Sequence, residues 1–250
     1  MAKIILYDIE TAPNLAYVWG KYEQDVIQFE KEWTMLSFSY KELGSKKTYS
    51  YALCDFKGYK KGGLDDSRLV KKLWEVLDGA DIVIAHNGDN FDIKRSNSRF
   101  IVHGLTPPKP YRSLDTLKVA RQKFGFNSNK LDDLGNILGI GRKVETGGAK
   151  LWFGCMAGDQ KSWNLMKKYN SNDVVLLEKV YLKMRPWMTT HPNVALLDEN
   201  LNCCPHCSSE KIQRRGFGYT KTSKYRRYQC MSCGAWSQGK TERIEGLEVR

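Results

Sequence analysis

Asp8 and Glu10 stand two residues apart at the end of the apolar run Ile4-Ile5-Leu6-Tyr7. A strand alternates its side chains, so both carboxylates project from one face. At the end of a buried strand they repel each other unless a cation lies between them, which points to divalent-metal chemistry. In isolation such a pair more often marks a strand running out into a polar turn, because short motifs match by chance. Asp92 closes the segment Asn87-Gly88-Asp89-Asn90-Phe91-Asp92, where a strand gives way to a helix. There it either serves the positive end of the helix dipole or adds a third carboxylate. Tyr169 and Asp173 are four apart on a long helix and so share a face one turn apart. Val174, Val175, Leu177 and Tyr181 make that helix apolar, and a buried helix seldom takes in an Asp without a partner.

A second constellation is made of thiols. Cys204-Pro205-His206-Cys207 and Cys230-Met231-Ser232-Cys233 are two Cys-x-x-Cys knuckles separated by 22 residues, slightly more than the usual spacing. Four thiolates so paired suit tetrahedral zinc, which would supply most of the folding energy of so small a module. Cys203 is an alternative to Cys204, and His206 a weaker one. Cys54 and Cys155 are isolated and read as packing residues. The start, Met1-Ala2-Lys3-Ile4-Ile5-Leu6-Tyr7-Asp8, meets a carboxylate too early for a signal peptide, so a cytoplasmic setting is expected and metal is favoured over disulfides. Between the knuckles Lys211, Arg214, Arg215, Lys221, Lys224, Arg226 and Arg227 face one acid, Glu210, with Phe217, Tyr219, Tyr225 and Tyr228 interleaved. Cations for phosphates and rings for unpaired bases suit nucleic acid, although a ribbon that docks another protein is the alternative.

The whole chain agrees in sign. Its 250 residues carry a formal net charge of +12, which attracts polyanions. No run of 18 apolar residues occurs, which argues against a membrane span.

These residues need elements to hold them. Lys3 to Asp8 reads as a buried central strand. Thr34–Tyr40 and Lys47–Leu53 read as a hairpin around Leu43-Gly44-Ser45. Ser67–Leu77 has helical spacing with Ser67 as its expected N-cap and Gly79 as its stop. Asp81–Ala85 is a second short strand, and a helix follows from about Phe91 to His103. Helical patterns resume at Ser113–Phe124 and Lys130–Leu138, and a Gly-rich basic insertion spans Gly139–Lys150. A long helix is expected from about Asp159 to Lys183. The order predicts an α/β domain with a mixed sheet flanked by helices over residues 1–190, a linker over 191–202 and a Cys-rich module over 203–250. Arg142, Lys143 and Lys150 in the insertion read either as phosphate contacts or as a solvated loop. Gly139-Ile140-Gly141 follows a helix, so a dinucleotide-binding reading fails.

Asp8-Ile9-Glu10, Asn87-x-x-x-Phe91-Asp92 and Tyr169-x-x-x-Asp173, in that order, resemble the three exonuclease motifs of the DEDD superfamily, and the Tyr resembles its DEDDy branch. That branch includes the proofreading domains of family B DNA polymerases, and the chain looks closest to small stand-alone relatives in phages and bacteria. Leu114-Asp115-Thr116-Leu117-Lys118 and Leu131-Asp132-Asp133-Leu134-Gly135 look like the family's non-catalytic helices. The resemblance covers about residues 1–190 and implies a ribonuclease H-like fold. It also implies 3′–5′ exonuclease activity with two Mg²⁺ or Mn²⁺ ions held by Asp8, Glu10, Asp92 and Asp173. Asp8 would bridge them, Glu10 and Asp173 would complete the nucleophile side and Asp92 the leaving-group side, with Tyr169 orienting the attacking water. Asn87 and Phe91 would position the terminal nucleotide, unless Phe91 is core and Asn87 only shapes its loop. DNA, single-stranded by preference, is the expected substrate. Nothing in the motifs reads a 2′-hydroxyl, so RNA is the alternative, and a non-catalytic nucleic-acid-binding protein is a third reading.

Overall fold

The apolar run after Lys3 forms the middle strand of a five-stranded sheet. β1 (Ile4–Thr11) pairs antiparallel with β4 (Met35–Glu42) on one side and parallel with β6 (Ile82–Ala85) on the other; β5 (Thr48–Ala52) and β7 (Arg112–Asp115) are the edges. The computed structural model describes residues 2–22, 25–197 and 202–243. They divide into two units, one of Lys3–Lys118 with Phe126–Val180, the other of Ala2, Val119–Gly125 and the described residues from Tyr181 onward.

In the first unit the helices are α1 (Ser67–Asp78), α2 (Asp92–Val102), the start of α3 (Thr116–Lys123), α4 (Leu131–Ile137), α5 (Lys150–Met156) and most of α6 (Gln160–Met184). Tyr7, Ile9 and Phe38 from the sheet, Leu69, Leu73 and Leu77 from α1 and Trp163 from α6 meet in one buried core. Each such side chain contributes about 1.5–3 kcal/mol by leaving water.

The expected hairpin, the strand before His86 and the helices at 67, 92 and 131 are present. Three readings need correction. Ser67 is the first helical residue of α1 rather than its cap; its N–H is taken by Asp65 Oδ1 at 3.0 Å. Ser113–Asp115 are not helical: Arg112–Asp115 add a parallel strand to Ile82–Ala85, and the helix starts only at Thr116. Leu114 and Leu117 mimic helical spacing, but Asp115 Oδ1 accepts the Leu117 N–H at 2.9 Å and marks the strand-to-helix junction. A small hairpin of β2 (Leu15–Tyr17) and β3 (Gln28–Lys31) was not expected; its exposed residues lack the alternating burial that betrays a strand.

The second unit holds a three-stranded antiparallel sheet, ordered β10-β9-β8, of β8 (Ile212–Tyr219), β9 (Ser223–Cys230) and β10 (Trp236–Arg243). A short helix, α7 (Val194–Leu197), lies in the stretch expected as a linker, and residues 198–201 of that stretch lie outside the described ones. Among the described residues no helix is long and apolar enough to cross a membrane.

Candidate active site

Unequal strand lengths open a notch beside β1. Its pairing with β6 covers only Ile4–Leu6, so Asp8 and Glu10 extend past the neighbour's register. The chain turns away after Ala85, and the Ile9 N–H that β6 no longer meets is taken by Asp92 Oδ1 at 3.1 Å. Asp92 therefore enters the site as a substitute for a missing strand. It is the first residue of α2, and its backbone is delivered by the tight loop 87–90, where Asn87 adopts a positive φ of 66°. Asp115 holds that loop from β7: its carboxylate accepts the N–H groups of Asn87 at 2.9 Å and Asp89 at 3.4 Å.

From the opposite side α6 supplies Tyr169, Asn170 and Asp173. Carboxylate oxygens of Asp8, Glu10 and Asp173 lie within 4.8 Å of one another. Asp173 is fully buried, and among the described residues its Oδ1 has no hydrogen-bond partner. A buried, unsatisfied carboxylate oxygen is costly, and a cluster of hard oxygen donors with one facing inward unpaired fits a divalent cation of the Mg²⁺ or Mn²⁺ type.

Crowding shows in the proton affinities. Burial, then Asp92, Glu10 and Asp173, push Asp8 well above the carboxylate range. Burial, followed by Asp173, raises Glu10 to about 8, and burial raises Asp92 to about 7 against the pull of the Ile9 N–H. Burial also raises Asp173, opposed by Lys143. Burial, with Asp173 and Glu10 adding to it, raises the Tyr169 hydroxyl, so it keeps its proton.

Lys143, which the sequence leaves as either a phosphate contact or part of a solvated loop, has its Nζ 2.6 Å from Asp173 Oδ2 and 3.1 Å from the Tyr169 hydroxyl, inside the acidic cluster. Its burial disfavours the charge, but Asp173 and Asp8 outweigh that and hold the ammonium form. Arg142 and Lys150 are exposed, and the Arg142 carbonyl accepts from Asn172 Nδ2 on α6 at 2.9 Å. Phe91 is half-buried and packs on the core, with the Arg95 guanidinium over its ring. His86 is held by Thr116 and Asn129.

Three contributors escaped the sequence reading. Trp152 donates its indole N–H to Glu10 Oε2 at 3.1 Å and stands edge-on to Tyr169. Asn170 Nδ2 donates to Asp8 Oδ2. Asp115 anchors the loop before Asp92. Asn170 lies within the Tyr169–Asp173 motif and Asp115 within Leu114-Asp115-Thr116-Leu117-Lys118, so both were open to notice; Trp152 carries no local signal.

In the second unit, Sγ atoms of Cys204, Cys207, Cys230 and Cys233 lie within 4.8 Å of one another, and the Cys204–Cys233 and Cys207–Cys230 pairs are 3.7 Å apart. Tetrahedral zinc with bonds of about 2.3 Å would set sulfurs about 3.8 Å apart, so the spacing fits. Backbone N–H groups of His206 and Cys233 point at Cys204 and Cys230 sulfurs at 3.4 Å, as thiolates favour. Cys203 is buried outside the cluster. Arg214, Arg215 and Arg227 are exposed on the sheet, while Arg226 is half-buried against Phe217.

Residues 34–185 match the sequence profile of the RNase H superfamily; the match begins after Asp8 and Glu10. Over 68 residues the chain is 40% identical to the DNA polymerase III PolC-type of Ureaplasma parvum, spanning 27% of this chain and 5% of that protein. Over 77 residues it is 34% identical to Protein NEN3 of Arabidopsis thaliana, spanning 30% of this chain and 15% of that protein. The family B DNA polymerase from the archaeon Pyrobaculum calidifontis shares the fold over 74% of this chain and 26% of its own, with a TM-score of 0.51 at 12% identity. The chain thus spans only a small part of each of these longer proteins.

Proposed function

The chain belongs to the RNase H superfamily, and from that premise we propose that it is a metal-dependent 3′–5′ exonuclease of the DEDDy type acting on DNA ends, single-stranded by preference. The observation that carries this reading is the convergence of Asp8, Glu10 and Asp173 within 4.8 Å, with Asp92 beside Asp8 and Tyr169 one helical turn from Asp173. Asp8, Glu10, Asp92 and Asp173 would hold the divalent ions. When bound, two such cations supply Lewis acidity, easing ionisation of the attacking water and neutralising charge on the leaving oxygen.

The chain's own groups act around that chemistry. Tyr169, whose raised proton affinity makes it a poor base, orients the water with its hydroxyl. Trp152 fixes the Glu10 carboxylate and Asn170 fixes Asp8, so neither ligand need reorganise. Lys143 supplies positive charge to the site before metal and phosphate arrive. The PolC-type relative and the archaeal structural neighbour are both named as DNA polymerases, which supports DNA as substrate. Residues 1–190 would form the nuclease domain. Residues 203–250 would form a zinc ribbon held by Cys204, Cys207, Cys230 and Cys233, with Arg214, Arg215, Arg226 and Arg227 toward nucleic acid.

The test is digestion of 3′- and 5′-end-labelled single-stranded DNA and RNA with Mg²⁺, Mn²⁺ or EDTA, beside Asp8→Ala. Metal-dependent shortening from the 3′ end, abolished in the variant, is expected. Degradation in EDTA, shortening from the 5′ end, or full activity of Asp8→Ala would overturn the reading, and preference for the RNA strand would reassign the substrate.

A further inference from the structure

The three-stranded sheet of the second unit has two unlike faces. Opposed residues of antiparallel strands share a face, so Arg227 with Gln238 and Gln229 with Trp236 fall on one side, and Tyr225 joins them by alternation along β9. Lys224, Arg226 and Phe217 fall on the other. The first face borders a cleft of about 500 Å³ whose lining includes Tyr225, Arg227, Trp236, Gln238, His191 and His206. That volume is within the range that holds small ligands, about 300–1,000 Å³.

Each wall is fixed. Tyr225 lies against Gly218, where an added Cβ would come within 2.5 Å of the ring, so only glycine lets the ring sit there. His191 and His206 stack with centroids 4.7 Å apart and planes 15° from parallel. Both nitrogens of His191 are engaged, Nε2 with the Tyr181 hydroxyl at 2.8 Å and Nδ1 with Pro192 O at 2.7 Å. Burial lowers the proton affinity of the His191 imidazole to about 4, so that ring is a flat, uncharged surface near neutral pH. Trp236 keeps 49% of its surface exposed, which leaves its indole open to stacking. The Arg227 guanidinium stands 5.8 Å from its ring centroid and is itself exposed.

We propose that this cleft is a binding site for one unpaired nucleobase of a single strand, stacked on Trp236, with Arg227 on the adjoining phosphate. Four features single out that occupant. Flat ring walls match a planar aromatic ligand, and the Gln238 amide can both donate to and accept from a base edge. No acidic residue lines the cleft among the described residues. The stretch 203–243 carries nine Lys and Arg against Glu210 and Glu242, complementary to a polyanion. A base within a duplex cannot reach such a cleft, so the site would favour single strands. The proposal deepens the nucleic-acid reading of this unit and rests on it.

The 250-residue protein, in buffer free of Mg²⁺, Mn²⁺ and chelator so that cleavage is withheld while zinc stays in place, is titrated into labelled oligothymidylate, an abasic strand of equal length and the matching duplex, with fluorescence anisotropy as readout. Trp236→Ala is expected to weaken oligothymidylate binding roughly tenfold or more while leaving the abasic strand unaffected, and Trp236→Phe to restore most of the loss. Arg227→Ala is expected to weaken both strands and to lower the salt slope by about one. Equal losses on both strands in Trp236→Ala, or none, would overturn the base site while leaving the nuclease reading untouched, since that is judged by digestion. Failure of the unaltered protein to prefer the oligothymidylate over the abasic strand would overturn it as well. Zinc content of each variant, measured beside binding, confirms that the sheet is intact.

Discussion

Lys143 Nζ stands 2.6 Å from Asp173 Oδ2, so an ammonium group enters the acidic cluster from a loop thirty residues upstream. The carboxylate it meets is fully buried, while the Lys side chain keeps about a third of its surface exposed. Asp173 otherwise has an unsatisfied Oδ1 and two acidic neighbours. The lysine is thus a resident counter-charge in a place where a divalent ion would also be favoured.

Replacing it separates those two roles. Lys143→Met is expected to lower the stability of the metal-free protein by roughly 1–3 kcal/mol, below the figure for a fully buried pair because the lysine is partly solvated. Thermal unfolding with and without Mn²⁺ measures it. The rise in melting temperature on adding Mn²⁺ is expected to be larger in the variant, since no ammonium competes for Asp173. An equal or smaller rise would show that lysine and metal do not compete.

Glu10 and Asp92 make the metal-free protein sensitive to base. Their folded values, about 8 and about 7, lie above the ordinary 4.5 and 3.8. A group that holds its proton more tightly when folded contributes stability below its unfolded value and loses that contribution as pH rises through the folded one. Without Mg²⁺, in buffer free of chelator so that zinc stays in place, the melting temperature is expected to fall by a few degrees, roughly 4–8 °C per kcal/mol lost in a small domain and less in a larger one, between about pH 5 and pH 9. Millimolar Mg²⁺ should offset the fall, and the double variant Glu10→Gln, Asp92→Asn should make the Mg²⁺-free profile shallower. A Mg²⁺-free profile that is already flat in the unaltered protein would contradict the burial of these charges.

Trp152 offers a test of ligand positioning. Trp152→Phe keeps an aromatic ring beside Tyr169 but removes the donor to Glu10 Oε2. Loss of such a supporting hydrogen bond costs roughly 10–100-fold in metal affinity or rate. The expected result is a lower kcat with little change in KM, and weaker Mn²⁺ binding by calorimetry. Unchanged Mn²⁺ affinity would assign Trp152 to packing alone.

The thiolate cluster predicts a metal count. The unaltered chain is expected to carry about one zinc by elemental analysis and Cys207→Ser much less, whereas Cys203→Ser should retain it, because Cys203 lies outside the four-sulfur group. Zinc loss in Cys203→Ser equal to that in Cys207→Ser would contradict the geometry.

Much of this arrangement is local and was legible. Asp8 and Glu10 share a face because strands alternate, Tyr169 and Asp173 because a helix turns in 3.6 residues, and the Cys-x-x-Cys loops close on themselves. Those periods depend only on neighbouring residues. The helix read into Ser113–Asp115 shows the limit, since a four-residue segment becomes a strand when β6 lies beside it.

The sequence by itself determined which side chains travel together: the Asp8–Glu10 pair, the Tyr169–Asp173 pair and the two thiol knuckles. Tertiary structure alone decided which of these faces meet and what else joins them. Asp92 reaches Ile9 across 83 residues, Trp152 reaches Glu10 across 142 and Asn170 reaches Asp8 across 162. It also put Lys143 among the carboxylates and left Arg142 in solvent. The reason is physical: backbone geometry repeats over a few residues, whereas contacts at such separations exist only once the core has packed the elements that carry them.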